Sequence, residues 1–224
     1  MTERVFQAID LDRTLFDTWA MVDNLGEVLE AFDPELRAEM DIESARCLEA
    51  KESFQIFDFL KVRLGNRFVA FTTELKRHIG QDELLMPGAK ERLRFANSRP
   101  NWSGGIVTYG QPDGQRLKLE LAGLTAYPHL VTDAAEKSRM IASWQQADGS
   151  FTLPRAFGGK TVDIVTLDDD KLNAFEAMPE NSYGNWVIGD QRPERALPAS
   201  LENRVAAVPN LLAAVSRLEK VLNA

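Results

Sequence analysis

Near the amino terminus a short apolar run, Val5-Phe6-Gln7-Ala8-Ile9, ends in Asp10-Leu11-Asp12-Arg13-Thr14-Leu15-Phe16-Asp17-Thr18. Such a run reads as a buried strand, and the polar residues after it as the loop at the strand's carboxyl end. Side chains alternate along an extended backbone, so Asp10 and Asp12, two apart, point to the same side. One carboxylate of such a pair can attack while the other moves a proton. Held this close, they resist joint ionisation unless a cation lies between them, which calls for a bound divalent metal. Hard oxygen ligands point to Mg²⁺.

With 224 residues and 44% apolar composition, the chain can bury a full core as one large domain or one domain carrying an insertion. A formal charge of −8 gives no electrostatic footprint for a phosphate backbone, which argues against nucleic acid and anionic membrane as partners. A small phosphorylated metabolite stays open, provided cations are concentrated locally. Cys47 is the only cysteine, which excludes an internal disulfide and fits a reducing cytoplasm. Thr2-Glu3-Arg4 leads straight into the first strand, without the long apolar core of a signal peptide, so a cytoplasmic location is expected. No segment has the length needed to span a bilayer. His78 and His129 are too few and too far apart for a zinc site.

From Thr18 to about Leu85 the pattern is helical throughout. Asp33-Pro34 separates a first helix from a second, and Gly65-Asn66 a third from a fourth. Phe54, Ile56, Phe57, Leu60 and Leu64 recur at helical spacing in the third, and Phe68, Phe71 and Leu75 in the fourth. After Met86-Pro87-Gly88 short apolar runs alternate with amphipathic stretches, the texture of βαβ units and a parallel sheet. Strands are expected at Gly104 to Thr108, His129 to Thr132, Thr161 to Leu167, Asn185 to Ile188 and Arg204 to Val208. Helices are expected over 88–97, 112–122, 135–147, 170–178 and 210–223. One strand precedes the helical stretch and the others follow it. Residues 18–85 therefore read as an insertion into a single α/β domain formed by 1–17 and 86–224.

The string IDLDRTLFDT, from Ile9 to Thr18, resembles the first signature of the haloacid dehalogenase-like hydrolases, a buried strand running into DxDxT. Here those residues are Asp10, Asp12 and Thr14; many members carry Gly or a small polar residue where Arg13 stands. The resemblance implies an α/β fold, a Rossmann-like parallel sheet flanked by helices, with an inserted all-helical cap domain. A cap that closes would exclude water and supply substrate contacts. The family's second signature, an apolar strand ending in Thr or Ser, matches Gly105-Ile106-Val107-Thr108, whose hydroxyl would bind a phosphoryl oxygen.

The third signature is a lysine, and Lys118, Lys137 and Lys171 compete for it. The fourth is an apolar strand ending in metal-holding acids. Val162 to Leu167 followed by Asp168, Asp169 and Asp170 fits it, with Asn173 four beyond Asp169. A rival is Trp186-Val187-Ile188-Gly189-Asp190 with Glu194, which would pair with Lys171. Counting strands after the insertion favours Lys137 with Asp169 and Asp170, since the family's order is then kept without skipping an element. The triplet also suits a helix amino-terminal cap.

The resemblance thus implies a Mg²⁺-dependent phosphatase that hydrolyses a small phosphate monoester through an aspartyl-phosphate. Asp10 would be the nucleophile and Asp12 the general acid and base. Metal ligands would be Asp10, the main-chain carbonyl of Asp12, and Asp169 or Asp170; Lys137 and Thr108 would steady the phosphoryl group. Asp12 speaks against a true dehalogenase, because carbon–halogen cleavage has no leaving alcohol that needs its proton. The alternatives are a phosphomutase of the same superfamily and a non-catalytic protein that keeps the fold to bind metal or a phosphate ester. Substrate identity and oligomeric state are not read from the sequence.

Overall fold

The computed structural model describes residues 4–50, 54–133, 136–189 and 197–222. The chain falls into two compact units. One comprises Met1–Phe16, Leu85–Tyr109 and Ala126–Ala224; the other comprises Asp17–Leu84 with Gly110–Thr125. The segment 110–125, which the sequence groups with the α/β part, thus clusters with the helical insertion.

The helical unit contains α1 (Thr18–Phe32), α2 (Pro34–Glu49), α3 (Ile56–Leu64), α4 (Phe68–His78) and α6 (Pro112–Leu121). Its boundaries follow from local capping chemistry. Asp17 caps α1, its Oδ1 accepting the N–H groups of Trp19 and Ala20 at 3.0 Å. Asp33 ends α1 and caps α2 by accepting from the Leu36 N–H at 3.2 Å, while Pro34 occupies the first turn, where its missing donor costs nothing. Between α3 and α4 the chain turns at Gly65, whose φ of +54° a residue with a Cβ rarely adopts. The unit's core is apolar and includes Leu25, Leu29, Leu60, Phe71 and Leu75. No helix among the described residues is long and apolar enough to cross a membrane.

In the α/β unit, six described strands form one parallel sheet: β1 (Val5–Ile9), β2 (Trp102–Tyr109), β3 (His129–Thr132), β6 (Ile164–Asp169), β7 (Ser182–Val187) and β8 (Val205–Val208). Their order across the sheet is β3-β2-β1-β6-β7-β8. This is the α/β architecture expected from the alternating apolar runs. Phe6, Ala8, Val165 and Leu167 face one layer, built with Ile141 and Trp144 of α7 (Lys137–Trp144). Val5, Trp102 and Ile164 face the other, against Phe95 of α5 (Ala89–Ala96) and Leu222, just beyond α8 (Leu211–Val221). Gly104 and Gly105 let both layers approach β2 closely. A Cβ on Gly104 would lie 2.5 Å from Cβ of Ala96, and one on Gly105 2.5 Å from the Phe157 ring.

Two expectations are corrected. The run 161–167 is not one strand: β5 (Thr161–Val162) pairs antiparallel with β4 (Phe151–Thr152), and β6 begins only at Ile164. Asp163, between them, is bound by the Arg4 guanidinium at 2.7 Å, and its N–H and that of Ile164 both donate to the Arg4 carbonyl. This long-range tie sets where β6 joins the sheet. The segment 170–178 is not an α-helix either. It holds only a 3₁₀ turn, Leu172–Phe175, closed by i to i+3 bonds such as Ala174 N–H to Lys171 O, and Pro179 follows.

Candidate active site

β1 is where the topology reverses: the chain builds outward through β2 and β3 on one side, then through β6, β7 and β8 on the other. In open α/β sheets the crevice at the carboxyl ends of strands beside such a reversal is where ligands bind. Asp10 follows β1 directly, and its N–H donates to the carbonyl of Asp168 in β6 at 2.9 Å, one step beyond the strand ladder. The chain then wraps tightly, with the N–H groups of Leu15 and Phe16 both donating to the Leu11 carbonyl at 3.0 and 2.8 Å. This turn brings the Thr14 hydroxyl to Asp10 Oδ2 at 3.2 Å.

Arg13 sits in that turn at φ +60°, the left-handed region a glycine takes without penalty. Its guanidinium forms an ion pair with Asp170. The position thus needs a left-handed backbone, and this chain fills it with a cation that neutralises a neighbouring acid.

Lys137 opens α7. Its buried Nζ bridges two strands, bonding Asp10 Oδ1 and, at 2.6 Å, Asp169 Oδ2. The other oxygen of Asp169 accepts the Lys171 N–H at 2.8 Å. Carboxylate oxygens of Asp10, Asp169 and Asp170 all lie within 4.8 Å of one another. Burial pushes the Asp10 carboxyl up to about 7 in spite of Lys137, and the charges of Asp169 and Asp12 add to the rise. Burial likewise raises Asp169, and raises Asp170 to about 6, where repulsion by Asp10 adds and Arg13 opposes. Lys137 is held protonated, the two carboxylates outweighing its desolvation.

This donor set fits a small divalent cation. Ligand oxygens around Mg²⁺ stand about 3 to 4 Å apart, and three carboxylates, two buried and one half-buried, facing two cations leave negative charge in surplus. The carboxylate of Asp12 is half-buried and outside the trio, compatible with a contribution through its main-chain carbonyl.

Thr108 lies near the end of β2, next to β1. It is fully buried, and its hydroxyl has no hydrogen-bond partner among the described residues. Of the competing lysines, Lys118 belongs to α6 in the helical unit and Lys171 is exposed. The rival strand is β7, which β6 separates from β1; Asp190 and Glu194 lie outside the described residues. Two features escaped the sequence reading: the Arg13–Asp170 pair and a buried Arg92–Asp168 pair beneath the site. Arg92 left a trace, for Ala89, Arg92, Leu93 and Ala96 make an i, i+3, i+4, i+7 stripe with an arginine where an apolar residue belongs.

The sequence matches no protein-family model and no curated protein. Its structure does have relatives. A protein assigned as a haloacid dehalogenase-like hydrolase from Burkholderia xenovorans superposes with a TM-score of 0.61 at 15% identity, over 99% of this chain and 100% of the other. A protein assigned as a β-phosphoglucomutase from Thermotoga maritima gives 0.54 at 18% identity, over 96% and 99%. A protein assigned as a HAD hydrolase from Bacillus subtilis, solved bound to magnesium, gives 0.51 at 16% identity, over 99% and 100%. With the reversal at β1 and the strand order around it, these likenesses give the chain the fold of the haloacid dehalogenase-like hydrolases.

Proposed function

We propose that the protein is a Mg²⁺-dependent phosphatase acting on a small phosphate monoester. The observation that carries this reading is the trio Asp10, Asp169 and Asp170 at the reversal point, two of them sharing the buried Lys137. Asp10 is the nucleophile: Lys137 holds one of its oxygens and Thr14 the other, so the carboxylate is oriented before substrate arrives. Its attack on phosphorus forms an Asp10–phosphate bond and breaks the ester P–O bond. The leaving alkoxide takes a proton from Asp12. Asp12, now ionised, takes a proton from water, whose oxygen attacks phosphorus and breaks the bond to Asp10, releasing phosphate. Lys137 and the Thr108 hydroxyl bind phosphoryl oxygens during both transfers. Asp10, the Asp12 carbonyl and Asp169 or Asp170 would hold a divalent cation, which when bound would supply positive charge against the repulsion between the carboxylate and the ester.

The test is phosphate release from an aryl phosphate and from a panel of nucleotides and sugar phosphates, with Mg²⁺ or chelator, by wild type and Asp10→Asn. Metal-dependent release that the variant loses is expected. A residual rate within about tenfold of wild type would exclude Asp10 as nucleophile, since losing a group that forms the intermediate costs far more. A requirement for a bisphosphate activator with little net release would favour a mutase, and tight ester binding without turnover a binding protein.

A further inference from the structure

Asp168 and Asp169 are neighbours in β6, and strand alternation sends them to opposite faces of the sheet. Asp169 joins the candidate site. Asp168, 0% exposed, enters a second polar cluster. The Nε of Arg92, itself 0% exposed, bonds Asp168 Oδ2; Asn185 Nδ2 donates to Asp168 Oδ1 at 2.8 Å; Arg92 Nη1 donates to Gln7 Oε1 at 2.7 Å. Arg217 extends the chain of bonds, donating to Asn185 Oδ1 at 2.9 Å. Side chains from three adjacent strands, β1, β6 and β7, are thereby pinned to α5 and α8. The main-chain carbonyl of Asp168 is also the group that accepts the Asp10 N–H.

We propose that the Arg92–Asp168–Asn185 cluster is a positioning device for the metal site, fixing the β6 carbonyl from which Asp10 hangs and the strand end from which Asp169 projects. The inference rests on the reading of the carboxylate trio as a divalent-cation site and on no turnover.

Stability alone does not account for the cluster. A fully buried ion pair recovers its desolvation cost only when every donor is satisfied, and apolar replacements of similar volume often hold a fold as well or better. Here Arg92 Nη2 and Gln7 Nε2 have no hydrogen-bond partner among the described residues. An apolar cluster, however, has no directional bonds with which to set the offset of β1 against β6. Directional bonding behind a set of ligands is what orients metal-binding groups in general.

The deciding comparison is wild type against the double variant Arg92→Met/Asp168→Asn, read by amide hydrogen exchange at Asp10, by Mg²⁺ affinity from calorimetry, and by thermal unfolding in chelator. The double variant removes both charges together and is expected to stay folded, with an unfolding temperature lowered only by the loss of the Gln7 partner. It is also expected to exchange the Asp10 amide at least about tenfold faster and to bind Mg²⁺ about 10- to 100-fold more weakly. A purely structural cluster would change unfolding and leave the other two readouts alone. A folded double variant with wild-type Asp10 exchange and wild-type Mg²⁺ affinity overturns the proposal. Should it not fold, Asn185→Ala removes one bond to Asp168 while keeping the ion pair; smaller shifts in the same direction support the proposal, and none overturns it. Wild type that binds Mg²⁺ but releases no phosphate refutes the phosphatase reading and supports a metal site independent of it, whereas wild type that binds no Mg²⁺ overturns both.

Discussion

Two polar clusters lie back to back across one sheet, anchored by consecutive residues of β6, and they differ in how their charges balance. On one face Asp10, Asp169 and Asp170 share Lys137 and Arg13, and the three carboxyls are pushed above their ordinary range. On the other, the single carboxylate of Asp168 meets the guanidinium of Arg92 and the amide of Asn185. Burial of a carboxylate that has its own cation makes scaffold. Burial with surplus negative charge makes a place for a cation, because the protein's own groups leave the repulsion unanswered.

The largest expected effects come from breaking the two faces separately. Asp168→Leu should destabilise the fold by about 3–5 kcal/mol, because it strands the buried Arg92 charge. Denaturant unfolding in chelator measures this. Asp169→Asn, one residue on, should show no such loss in chelator, since it relieves repulsion, yet should weaken Mg²⁺ binding about tenfold or more in calorimetry. Equal loss of stability in both would break the comparison.

Next in size is Lys137→Met, which removes the cation shared by Asp10 and Asp169. Phosphate release should fall by about 10²- to 10³-fold in kcat, as when a charge-stabilising donor is removed. Steady-state assays at saturating Mg²⁺ check it.

A pH dependence follows from the raised carboxyls. Asp10 and Asp170 are raised from 3.8 to about 7 and about 6 in the folded protein. Between pH 4 and 7 the folded state therefore binds more protons than the unfolded chain, so this contribution to stability falls as pH rises. Thermal unfolding in chelator should show that fall, and Mg²⁺, taking the place of the protons, should flatten it. A chelated protein without the fall would show that the acids are compensated already.

The smallest effect is expected from Arg4→Ala, at the opposite end of β1. The Arg4–Asp163 pair is exposed, and solvent and salt screen it. Its unfolding midpoint in high salt should be close to that of wild type, in contrast with Asp168→Leu.

Legibility in the sequence tracked the range of the interactions involved. The breaks at Asp33-Pro34 and Gly65-Asn66 could be read because a cap, a proline and a left-handed glycine act within a few residues. The split of 161–167 into β5 and β6 could not, for it depends on the main-chain carbonyl of Arg4, far away in sequence, which accepts the N–H groups of Asp163 and Ile164. Arg13 was visible as a residue, but its tie to Asp170 needed the fold.

What the sequence determined by itself was local: the strand that runs into the turn of Asp10, Asp12 and Thr14, the helical character of 18–85, and the α/β alternation after residue 86. What only the tertiary structure decided was adjacency. β6 and not β7 stands beside β1, so Asp169 and Asp170 meet Asp10, and an arginine on the apolar stripe of α5 finds Asp168, the carboxylate that β6 turns to the other face. Strand order is a pairing between distant segments whose local patterns are alike, and it is settled by which of them close-pack together.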